Sequence, residues 1–114
     1  MRLYYKLDED NRVVPCTLEE WSTWMWQNPD QRVVKKTDLG KLGEVSTVFL
    51  GLDHRFSTFD GEGDPIVFET MVFNSELEEY TNQQWRYTTY NEALTHHHIV
   101  CGELLMSTPT ATVT

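Results

Sequence analysis

The chain has 114 residues, a length that fits one domain able to bury roughly two thirds of its unfolded surface. Its composition is 39% hydrophobic and 24% charged, with four Trp, five Phe and five Tyr, which excludes a disordered or low-complexity protein. Eighteen acidic against nine basic residues give a net charge of −9, the wrong sign for direct binding to a nucleic-acid backbone and the right one for solubility or a basic protein partner.

Leu3–Leu7 is β-prone, Asp8-Glu9-Asp10-Asn11 is a turn cluster, and Arg12-Val13-Val14 resumes extended structure, so the chain opens on a hairpin. Thr17-Leu18-Glu19-Glu20 is a capping box. The Thr17 hydroxyl takes an orphan N–H and Glu20 reaches back to the Thr17 amide. Leu18, Trp21 and Met25, with Trp24 less cleanly, form an apolar stripe on the helix that follows, and Trp26 falls toward the other side. Asn28-Pro29 ends this helix. Gln31 to Thr37 reads as an edge strand blunted by lysines, and 38–43 as a turn. Glu44 to Leu52 is a strong strand.

Residues 51–64 form a long loop with several glycines, acidic residues and His54. Pro65 to Phe73 is a second strong strand, apolar on both faces except at Glu69, hence central in a sheet. The polar segment 74–83 leads to a short strand at Gln84–Thr88. Thr89-Tyr90-Asn91-Glu92 is a second capping box, opening a helix to about Leu105 whose buried stripe is Ala93, His97, Val100, Cys101 and Leu104. The order β-β-α-β-β-β-β-α predicts an α+β domain over 1–106, mostly antiparallel, with two helices packed on the sheet and a Thr-rich tail at 107–114. No apolar run approaches the roughly 18 residues of a membrane span, and Met1–Lys6 lacks the pattern of a secretory signal. Cys16 and Cys101 form no CxxC pair and read as buried free thiols of a reducing cytoplasm.

Val45–His54, then Phe68–Phe73, then Trp85-Arg86-Tyr87 followed by Thr89 and Glu92-Ala93 resemble, in this order, small bacteriophage- and prophage-encoded proteins of no known activity. The resemblance covers about the middle and last thirds of the chain. It implies expression in the cytoplasm of a bacterial host and assigns no residue a role. The chain departs from it at His96, where a glycine is expected before His97.

Three constellations could carry function. Asp53-His54 at the mouth of the long loop, with Glu69, is an acid–base or ligand-binding candidate. The competing reading has Asp53-His54 capping a turn and Glu69 on a solvent-facing part of the sheet. His97 and Cys101, at i and i+4, could supply half of a metal site. The competing reading is a packed histidine beside a buried thiol, because adjacent His96, His97 and His98 point about 100° apart and cannot converge on one ion. Trp26, with the acidic residues Asp60, Glu62, Asp64, Glu76, Glu78 and Glu79, suggests a protein-interaction surface.

No Walker loop, GxGxxG, GxSxG or HExxH is present, and no cofactor is expected. The leading expectation is a phage-encoded accessory protein that binds a host or phage protein with a basic surface and inhibits a nucleic-acid-binding or defence enzyme. A small enzyme or ligand-binding domain is the first alternative, and a homo-oligomeric structural protein the second.

Overall fold

The computed structural model describes residues 4–53 and 64–107. Tyr4–Leu7 (β1) and Val13–Cys16 (β2) pair antiparallel as the expected hairpin. The Asp8 carboxylate closes its turn by accepting the Asp10 and Arg12 amides, and Asn11 adopts a left-handed φ of 62°, which asparagine tolerates. Thr17 and Glu20 form the capping box of Leu18–Gln27 (α1).

The main sheet is an antiparallel meander, ordered β3-β4-β5-β6: Val33–Asp38 (β3), Glu44–Phe49 (β4), Phe68–Phe73 (β5) and Gln84–Tyr87 (β6). A turn of 3-10 helix at Gly40–Leu42 links β3 to β4, and the short helix Glu78–Thr81 (α2) precedes β6. The second capping box, Thr89 with Glu92, opens Tyr90–Met106 (α3). The fold is α+β. Among the described residues no helix is long and apolar enough to cross a membrane.

Helix α3 lies across one face of the meander and touches all four of its strands. Its buried residues are Ala93, His97, Val100, Cys101 and Leu104, the stripe expected from the spacing. Val45, Val72, Val100, Cys101 and Leu104 make one core cluster. The other, around Phe49, Phe68, Val67, Val34 and Ala93, is completed by Tyr5 and Leu7 of the hairpin and by Trp24 and Met25 of α1.

The hairpin and α1 are fastened to the end of β4. Tyr5 N–H donates to the Gly51 carbonyl (2.8 Å), and the Trp21 indole N–H donates to the Leu50 carbonyl (3.1 Å). Gly51 has φ +72° and lies so close to Trp21 and Tyr5 that a Cβ there would collide with both.

Several boundaries move from the sequence expectation. β3 begins at Val33 because the 28–32 turn spends its backbone on Arg32 N–H to Asn28 C=O and Val33 N–H to Asp30 C=O. β5 begins at Phe68, although Val67 still bonds both neighbours: its amide donates to the Tyr87 carbonyl, and its own carbonyl is shared between the Leu50 and Gly51 amides. Leu18 is 53% exposed instead of buried in the stripe, and α1 has no fully buried residue at all. Helix α2 was not anticipated: Glu78 and Glu79 sit in a segment whose polarity reads as loop.

Candidate functional site

The polar interior of this protein is a row of hydroxyls and imidazoles between sheet and helix. Side chains alternate across a strand, so Thr47 and Thr70 point to the α3 face while their neighbours Val48 and Glu69 point away. Thr47 and Thr70 are paired in register, with Oγ1 atoms 2.5 Å apart. His97 of α3 is wholly buried above them. Its Nδ1 is 2.8 Å from Thr47 Oγ1 and its Nε2 is 2.8 Å from Thr37 Oγ1 on β3. Tyr87 of β6 donates to Thr70 Oγ1 (3.1 Å) and makes a second, short hydrogen bond with His96 Nδ1. At the far end Thr37 lies beside the Cys101 thiol and works against the rise in its pKa. Each strand of the meander thus contributes one hydroxyl, and α3 contributes two imidazoles.

Each hydroxyl has one proton to donate. One ordering satisfies every member with His97 neutral: Tyr87 donates to Thr70, His96 Nδ1–H to Tyr87, Thr70 to Thr47, Thr47 to His97 Nδ1, and His97 Nε2–H to Thr37. Burial, with smaller repulsion from His98 and Lys35, holds the His97 pKa down at about 4. Burial likewise raises the Tyr87 hydroxyl against the lowering effect of Thr70. It also raises the Cys101 thiol, against Thr37 and Lys35.

The structure places the sequence candidates apart. Glu69 faces away from α3 and pairs with Arg86 at 3.1 Å, whereas its neighbour Thr70 joins the His97 row; Glu69 and His97 are on opposite faces of the sheet. Asp53 Oδ1 accepts the Ile66 amide (3.1 Å), which ties the two ends of the long loop. His54, Asp60 and Glu62 lie outside the described residues, as does the tail from 108. His97 has both imidazole nitrogens engaged by threonines, and Cys101 lies near Thr37. Among the described residues no group of three His, Cys, Asp or Glu side chains is placed to hold a metal ion.

Trp26 is 85% exposed, on the rim of a shallow cleft with Trp21, Met25 and Pro29. Asp64, Glu76, Glu78 and Glu79 are exposed too. Helix α1 packs at the Phe49 end of the sheet through an edge-on contact of Trp24 with Phe49 (5.5 Å). Residues 74–79 follow the other end of β5, where Gly43 packs against Ser75. Trp26 and the carboxylates of 76–79 are therefore at opposite ends of the sheet, a strand length apart. Nothing local in the sequence marks Thr37, Thr47, Thr70, Tyr87 and His96 as partners, because their meeting depends on strand register. Compared with family models, curated proteins and solved structures, the chain matches none.

Proposed function

We propose that this chain is an acidic protein-interaction module, a phage-encoded accessory protein that binds a basic protein surface in a bacterial host. The observation that carries this reading is Trp26, 85% exposed on a helix that buries none of its residues fully, in a chain of net charge −9. A large rigid ring left in water costs solubility and is a typical interface anchor. Leu18, 53% exposed, adds apolar surface to the same helix, which also carries Glu19 and Glu20 and no basic residue. An apolar anchor among carboxylates fits a partner whose pocket is rimmed by Lys or Arg, as the grooves of nucleic-acid-binding enzymes are. Occupying such a groove would inhibit the enzyme.

The test is capture of partners from bacterial lysate on the tagged chain, at low and high salt. One stoichiometric partner is expected, released by salt because charge attraction is screened. Trp26→Ala should weaken that partner by about 30-fold, the loss of an interface hot spot. Capture unaffected by both salt and Trp26→Ala would overturn the reading.

A further inference from the structure

We infer that the groove between β6 and α3 is a binding site for an arginine side chain, presented by the basic partner of the reading above. Tyr87, Asn91, Glu92, Thr95, His96 and Ile99 line this groove. Its chemistry is set by the row of hydroxyls beneath it. In the ordering where Tyr87 donates to Thr70, His96 donates through Nδ1 and its Nε2 is an acceptor, and the inferred site uses this tautomer. No hydrogen bond within the described residues engages that nitrogen. The ring cannot flip to offer a donor without breaking its bond to Tyr87, and it is held by packing beside both Tyr87 (5.3 Å) and Trp85 (5.9 Å).

Glu92, one helical turn before His96, stands on the same side of α3. Its Oε1 accepts from the Thr88 hydroxyl and from the Thr88 and Thr89 amides. The Thr88 hydroxyl bond is the main reason its pKa is lowered, so the carboxylate stays charged. Oε2 takes no part in those bonds. The groove therefore offers a carboxylate oxygen and an imidazole lone pair, an apolar wall at Ile99, and no cationic side chain. A guanidinium matches this set. Its planar fork donates to two acceptors at once, its face stacks on aromatic rings, and its aliphatic stem covers Ile99. An ammonium has no comparable fork, and an anion would meet the Glu92 carboxylate with no cationic side chain to offset it.

The site is tested with the side chain alone, so that its failure is separable from failure of the interaction reading. N-acetyl-arginine methylamide is titrated into the full-length protein, followed by NMR at the histidine ring nitrogens and the α3 amides. Saturable shifts centred on His96, Glu92 and Ile99 are expected, with His96 protonated at Nδ1 in the free protein. The citrulline analogue, equal in shape but neutral, should bind at least tenfold more weakly, as should the probe on Glu92→Gln, which keeps the capping acceptor and removes the charge. His96→Phe keeps the ring packing and should lose the site. Trp26→Ala should leave the titration unchanged. The inference is overturned by non-saturating shifts, by equal binding of the citrulline or lysine analogue, or by a free-state proton on His96 Nε2. If the probe fails while salt-sensitive capture through Trp26 persists, the groove assignment alone falls. If the probe binds and nothing is captured, the groove stands without the module reading.

Discussion

A buried hydroxyl with one proton cannot serve two acceptors, so each member of the Thr37–Tyr87 row fixes the next. Thr47 is the point of greatest cost. Thr47→Val keeps the shape but leaves both the Thr70 hydroxyl and His97 Nδ1 without their buried partner, at about 2–4 kcal/mol in urea unfolding. His97 gives the row a pH dependence whose sign can be worked out. Its folded pKa of about 4 lies below the 6.5 of the free side chain, so the unfolded chain binds the proton first. Stability is therefore complete above about pH 6.5 and declines toward pH 4, by about 3 kcal/mol from this group. Comparing urea midpoints of wild type and His97→Asn from pH 7 to pH 4 isolates this slope, which the variant should lack. Gly51→Ala tests a different kind of contact. A Cβ there meets the Trp21 ring and the Tyr5 carbonyl at a φ of +72°, and a loss of about 2–4 kcal/mol is expected in the same assay.

The helices differ in what holds them. Both long ones have complete capping boxes, but α3 buries five residues and α1 none. Removal of the cap should therefore be felt differently. Thr17→Ala, worth about 1 kcal/mol, should fray α1 locally, whereas Thr89→Ala should lower global stability by a similar amount. Native-state hydrogen exchange distinguishes the two, since α1 amides should open well below the energy that exposes β4, β5 and α3. These elements were legible in the sequence because their signals are local: Thr-x-x-Glu boxes, the 93–97–100–101–104 stripe, and β-rich runs between turns. Glu69 was legible only as an exception. Its place opposite His97 follows from strand alternation, and its partner Arg86 from the β5–β6 register, neither of which a single strand declares. The hydroxyl row was invisible for the same reason, since threonines on β3, β4 and β5 mean nothing until the strands are aligned. The placement of Trp26 and Glu76–Glu79 at opposite ends of the sheet was not legible, because charge and composition carry no information about which end of a sheet a segment occupies.

At the scale of the molecule, the two edges of the meander are unequal. β3 is interrupted by a register shift between Val33 and Lys35 and shows Lys35 and Lys36 to solvent, both features that oppose strand addition. β6 is a regular four-residue edge with one charged residue, Arg86. An edge that accepts a neighbour at one side and refuses it at the other has a consequence for assembly: growth cannot propagate. Two copies joined through β6 would present a β3 edge at each end, so association would stop at a pair and never lengthen into a fibre. Sedimentation at high concentration should accordingly show no species beyond a dimer. Replacing Lys35 and Lys36 with valine should turn that closed limit into open-ended polymer, detectable by light scattering.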